Sequence, residues 1–259
     1  MPNQVFLNQH NLVVYNPYTD ILYKYVCLDT AKKIIENTTL KFGLADDFND
    51  PFELTLDSIE IKTSRQDLKN FINRRHRGQE RERRNMFLSN RNADSRKEFD
   101  EIIKREFQRL KNTTGICCFS GQNDIALMWS HYADNHKGIC LGFRHFMQTK
   151  EFFVIHVNYI KELKPIKYWG SKEELFPIWI FSKSHVWEYE EEIRAIFFDA
   201  NGFIPFEKKQ LCEVHFGLRT KENQKNEFKN LLTVKGYEDI SLYNMQVDAK
   251  NFGIKRIPY

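Results

Sequence analysis

Trp187-Glu188-Tyr189-Glu190-Glu191-Glu192-Ile193-Arg194 runs directly into Ala195-Ile196-Phe197-Phe198. Read as a strand, its side chains alternate between two faces. Trp187, Tyr189, Ile193, Ala195 and Phe197 then share one side, and Glu188, Glu190, Glu192 and Arg194 share the other. Carboxylates and a guanidinium on one face, with apolar groups behind, describe one wall of a polar cleft. Such a row can hold a sugar hydroxyl, act as a base or position a cation. The plainer alternative is an edge strand with a solvated, self-paired charged face.

The flanking sequence alternates strands with helices. Ile21 to Val26 suits a strand. Asp29 or Thr30 can cap a helix with Ala31, Ile34 and Ile35 at helical spacing, and Leu40, Phe42 and Leu44 alternate as a second strand. Asp46 to Pro51 is dense in turn formers. Gly115 to Ser120 and Ile139 to Phe143 read as strands around a helix capped by Asn123 or Asp124, with Ile125, Met128, Trp129 and Tyr132 on one side. Val154 to Tyr159, Cys212 to Gly217 and Ser241 to Val247 are further strands, and Thr220 can cap the helix carrying Phe228, Leu231 and Leu232. Ser171 to Glu174 fits a capping box before a helix reaching towards Lys183. This is an α+β pattern.

Composition sets the outer limits. The chain has 259 residues, 41% apolar and 14% aromatic, enough to bury a large core in one domain. The expected organisation is a single domain over 1–259 with a basic helical insertion at about 60–111. That stretch carries sixteen Lys/Arg against nine Asp/Glu, a net of +7 within a chain of net +4. No run approaches the roughly 18 apolar residues of a membrane span, and no signal peptide is evident. Five cysteines in no paired spacing read as reduced thiols of a cytoplasmic protein, with no metal site expected.

Four other polar clusters carry chemistry. Lys24, between Tyr23 and Tyr25, can meet a phosphate or carboxylate as a point charge, or face solvent on an edge strand. Asn49-Asp50-Pro51-Phe52-Glu53 is explained largely by turn capping, leaving Glu53 solvated. His131 and Asp134 are helix neighbours at i,i+3, where the acid can orient the imidazole, although a lone histidine is often structural. Arg74, Arg75 and Arg77 can grip nucleic-acid phosphates, against a default of a solvated face. Walker A, GxGxxG, HExxH and GxSxG motifs are absent, which argues against common nucleotidases, dehydrogenases, zinc proteases and α/β-hydrolases.

Taken in order, Leu22 to Tyr25, Phe48 to Glu53, Cys118-Phe119-Ser120, Met128 to Asp134, His136-Lys137-Gly138, Lys183 and Trp187 to Arg194 resemble the domain of unknown function 2971 family, a bacterial and phage group without a settled activity. The opening strand-helix-strand with a late Glu-x-Glu strand is also similar to ADP-ribosyltransferases, which split NAD at the nicotinamide bond. That second resemblance implies an ADP-ribosyltransferase-like fold with NAD as cofactor. Lys24 stands where those enzymes carry a first-strand His or Arg, a departure because lysine cannot make the same directed contact. Glu190 or Glu192 stands where they carry the late Glu.

The leading expectation is an enzyme on a nucleotide-type ligand, a toxin or phage-defence effector. Its catalytic residues would be Glu192, Glu190 and His131, and its ligand-binding residues Lys24, Tyr25, Arg194, Ser120 and Tyr132. A carboxylate stabilises an oxocarbenium-like state. The alternatives are a nucleic-acid-binding or RNA-processing protein, and a non-catalytic scaffold or sensor whose motifs form a buried polar network.

Overall fold

The computed structural model describes residues 20–60, 66, 69, 73, 80–81, 93–144, 146, 152–162, 166–167 and 179–259. Strand β1 (Leu22–Val26), helix α1 (Leu28–Asn37) and strand β2 (Thr39–Phe42) open it. Ala31, Ile34 and Ile35 of α1 are buried, as their helical spacing requires. Two-residue β3 (Ile59–Glu60) and helix α2 (Ala93–Thr113) follow, then β4 (Gly115–Ser120), α3 (Ala126–Tyr132), β5 (Ile139–Phe143), β6 (Phe152–His156), β7 (Asn158–Ile160), β8 (Ile166–Lys167) and β9 (Ser182–Ser184). β10 (Glu192–Phe197), β11 (Gly202–Pro205), β12 (Leu211–Phe216), α4 (Glu222–Val234), β13 (Ser241–Asp248) and β14 (Gly253–Pro258) complete the chain.

Eight strands form one mixed sheet in the order β14-β13-β12-β5-β1-β4-β10-β6, with β12 and β13 parallel and the other pairs antiparallel. This is an α+β architecture. A core of Leu22, Val26, Leu141, Phe143, Val214 and Phe216 packs against Ile34 and Ile35 of α1 and Phe228 and Leu232 of α4. A second cluster joins Ile103 and Phe107 of α2 to Ile116, Ile155, Ile196 and Trp179. A third places α3, through Met128 and Trp129, against Tyr23, Tyr25 and Cys140.

The stretch from Trp187 to Phe198 does not form one strand. His185–Glu190 is a 3-10 helix, and Glu191 adopts a left-handed backbone at φ 46°. The strand begins only at Glu192, where the expected alternation takes hold: Ile193 and Ala195 enter the core, while Glu192 and Arg194 face the other way. β10 lies between β4 and β6, so it is an interior strand and the edge-strand alternative fails. Trp187, read as the partner of the buried face, is half-buried.

Other local expectations also shift. The helix caps are Cys27, Ile125 and Lys221, one or more residues away from the expected Asp29 or Thr30, Asn123 or Asp124, and Thr220. The Thr220 hydroxyl instead donates to the Gly138 carbonyl at 3.0 Å, tying α4 to the loop after α3. In that loop Asp134, Asn135 and His136 are successively left-handed, with φ of 46°, 51° and 67°. Strands β3, β8, β9, β11 and β14 are not among the strands expected from the sequence, and β9 stands where the helix was expected to reach towards Lys183. Of the proposed insertion, α2 is helical, whereas Arg74, Arg75, Arg77 and the Ser171 capping box lie outside the described residues.

Candidate functional site: a cleft at an open seam in the sheet

β1 pairs with β5 along its whole length but meets β4 only at Tyr23↔Ser120. The remaining edge of β4 is served in two other ways. Gly43 exchanges backbone hydrogen bonds of 2.8 and 3.0 Å with Ile116. The Lys24 ammonium donates to the Cys118 carbonyl at 2.8 Å and sits 5.5 Å from the Phe119 ring centroid. This seam opens into a cleft of about 640 Å³. One face of α1 (Thr30, Lys33, Ile34 and Asn37) forms a wall, because residues three and four apart stack on a helix. Lys24, Tyr132, Glu190 and Glu192 also line the cleft.

The acidic end is a closed ionic network. Lys183 Nζ lies 2.5 Å from Glu190 Oε2 and 2.6 Å from Glu192 Oε2. Arg194 Nε reaches Glu192 Oε1 at 2.7 Å, Nη1 lies 2.7 Å from Glu53 Oε1, and the same nitrogen donates to the Ile180 carbonyl. The Tyr132 hydroxyl donates to Glu190 Oε1 at 2.6 Å and accepts from Asn49 Nδ2 at 3.1 Å. The Glu192 amide donates to the Tyr159 oxygen at 2.8 Å. Arg194 is fully buried, and Glu53, Glu190, Glu192 and Lys183 nearly so. Buried charges are tolerated only when paired in this way.

Electrostatics separate the carboxyls. Burial alone would raise the Glu192 carboxyl, but Arg194 and Lys183 overcome it and hold the group down at about 2. Burial dominates at Glu53 and pushes its carboxyl upward, with Arg194 only partly opposing. Burial works against the Lys183 ammonium, yet Glu192 and Glu190 raise it well above its ordinary value. Burial, aided by the hydrogen bond to Glu190, also raises the Tyr132 hydroxyl. The cleft therefore presents a fixed, ionised carboxylate beside a carboxyl that holds its proton more tightly.

Among the residues singled out in the sequence, Lys24, Tyr25, Tyr132, Glu190 and Glu192 line one cleft. Arg194 stands behind it, orienting Glu192. Ser120 is wholly buried, its hydroxyl accepting from the Gln122 amide at 3.2 Å. The Tyr25 hydroxyl is engaged by the Gln122 carbonyl at 2.7 Å. His131 is exposed and outside the lining, with Nδ1 3.3 Å from the Tyr189 hydroxyl. α3 ends at Tyr132, so Asp134 falls in left-handed backbone beyond the helix and the expected i,i+3 geometry with His131 is lost.

Lys24 is not the solvent-facing lysine of an edge strand, because β1 is interior. Glu53 is not solvated, because Arg194 draws it inward; Asp50 does cap the turn, accepting from the Phe52 amide at 3.0 Å. Sequence reasoning gave Lys183 no role. The signal was a lysine a few residues ahead of an acidic run, whose meaning depends on the 3-10 turn that folds it back. Among the described residues no group of three or more His, Cys, Asp or Glu is placed to hold a metal, and no helix is long and apolar enough to cross a membrane.

No curated protein and no solved structure matches the chain. The model of the family described as Protein of unknown function (DUF2971) matches residues 128–195, the segment that carries Tyr132, Lys183, Glu190, Glu192 and Arg194, and bears out the resemblance to that family.

Proposed function

We propose that this chain is an enzyme acting on a nucleotide-type ligand, with an ADP-ribosyltransferase-like fold and NAD as its donor. The observation that carries this reading is the meeting of Lys24, on the first strand, with Glu190 and Glu192, from the late acidic segment, in one cleft across β4. A bound NAD would supply a glycosidic bond whose cleavage builds positive charge on the ribose. The fit rests on the donor set. Lys24 makes no ion pair among the described residues; its ammonium donates to the Cys118 carbonyl and lies against the Cys117 thiol, which leaves a further donor for a phosphate oxygen. Glu192, fixed and ionised by Arg194 and Lys183, is a preorganised negative group for a developing cation. Glu190, held by Tyr132 and Lys183, lies beside it and favours the acceptor.

The test incubates the protein with labelled NAD and candidate RNA, DNA and protein acceptors, following nicotinamide release and label transfer. Glu192→Gln should lower turnover by about a hundredfold or more. That substitution also unbalances Arg194 and Lys183, so its folding must be checked in parallel. Lys24→Ala should weaken NAD binding. No nicotinamide release together with no NAD-dependent thermal shift would retire the reading.

A further inference from the structure

We propose that the rim of this cleft, formed by Lys33 and Asn37 on α1 and Lys41 on β2, binds the phosphate groups of a nucleotide, with Phe203 as the seat for its ring. The inference rests on the cleft being a ligand site and names the groups that hold the ligand's anionic end. Of the four carboxylates that line the cleft, three are buried in ion pairs and only Asp47 stands at the rim, loosely paired. Glu190 and Glu192 are spent on Lys183, Glu192 and Glu53 on Arg194, and Asp47 on Lys41. Lys33 is exposed and makes no ion pair among the described residues. The charge available to an incoming ligand is therefore positive.

The Lys41–Asp47 contact is 3.3 Å long, with both side chains more than half exposed. Pairs of this kind contribute little, so a phosphate can displace Asp47. Lys33 and Asn37 sit one turn apart on the helix face that walls the cleft and offer donors in succession. β11 pairs with β2 in the register Phe203↔Lys41, and residues directly opposite in an antiparallel pair share a face. Phe203 is 73% exposed and lines the same cleft, an uncovered aromatic beside the lysine. Phosphate donors next to an open ring suit a nucleoside diphosphate better than an inorganic anion, because ring stacking adds to charge.

The test is calorimetric titration of the full chain with ADP and, separately, inorganic pyrophosphate at low salt. ADP should bind more tightly than pyrophosphate. Lys33→Ala and Lys41→Ala should each weaken both by about tenfold, the worth of one charge-assisted hydrogen bond. Asp47→Asn should tighten both, and Phe203→Ser should weaken ADP while leaving pyrophosphate unchanged. Lys32→Ala is the control, because Lys32 pairs with Glu227 at 3.2 Å and is absent from the cleft lining. All five substitutions fall on side chains at least partly exposed, and circular dichroism will verify their folding. Failure of ADP to bind, or binding equally weakened by Lys32→Ala and Lys33→Ala, overturns the inference. ADP binding that depends on Lys33 and Lys41, with neither nicotinamide release nor an NAD-dependent thermal shift, upholds it while sinking the transferase. Nicotinamide release with unaltered NAD affinity in both lysine variants does the reverse.

Discussion

Replacing Lys183 with methionine isolates the electrostatics of the cleft. The ammonium lies 2.5 and 2.6 Å from two nearly buried carboxylates, and methionine keeps the unbranched apolar stem, one atom shorter, while deleting the charge. Removing one partner of a buried ion pair typically costs about 3–5 kcal/mol, a large share of the roughly 5–15 kcal/mol that holds a domain folded. The loss should also change character with pH. In the native protein Glu192 is held near 2, below its unfolded value, so its contribution is fully present above the unfolded value. It is lost as pH falls towards 2. In the variant, Glu190 and Glu192 face each other with one counter-charge fewer, and one carboxyl must rise. Stability should then recover partly as pH falls from 7 to 5, the opposite trend. Urea unfolding at both pH values reads this directly, and adding Glu190→Gln to Lys183→Met should restore part of the loss. A cost below about 1 kcal/mol with a pH trend parallel to the native protein would show that the carboxylates are hydrated, and the buried ionic network would be refuted.

Trp129 is fully buried, donates to the Asn123 carbonyl at 2.8 Å and meets Tyr25 edge-on at 5.3 Å; its truncation to alanine should cost about 3–5 kcal/mol in urea unfolding. Gly138→Ala should destabilise by at least about 1–3 kcal/mol in the same assay, because a Cβ there would sit 2.2 Å from the Val26 carbonyl oxygen. Burial depresses His215 despite Glu213 at 2.9 Å, so the unfolded chain takes up protons first and stability should fall as pH drops below about 6.5. His215→Phe should flatten that slope in pH-dependent unfolding without abolishing it, since burial also depresses His136 and His156.

The local units were legible because their signals are local. β1, α1 and β2 follow from branched residues and the Ala31, Ile34, Ile35 spacing, and β4, α3 and β5 from the apolar runs around Trp129. What escaped depends on partners far along the chain. Glu53 reads as a solvated loop residue until β10 brings Arg194 against it. Glu190 looked like part of a strand because nothing in an acidic run announces that Glu191 will turn left-handed. β11 exists because β2 offers it an edge, and β14 because β13 does; neither has the alternation that would mark it alone. For the candidate site, residue types singled out Lys24, Tyr132, Glu190 and Glu192, which the fold brings to one cleft, whereas His131 stays on the exposed side of a helix that ends one residue later, at Tyr132.

The seam between β1 and β4 resembles a zip halted after its first tooth. Past Tyr23 and Ser120, both strands keep backbone groups that an ordinary sheet would have joined. The width of the opening is thus written into the backbone rather than into movable side chains. Lys24 spans it as a substitute rung, its amine standing in for the amide that a neighbouring strand would have offered to Cys118. Any guest with a donor of its own would have to compete with that lysine for the Cys118 carbonyl.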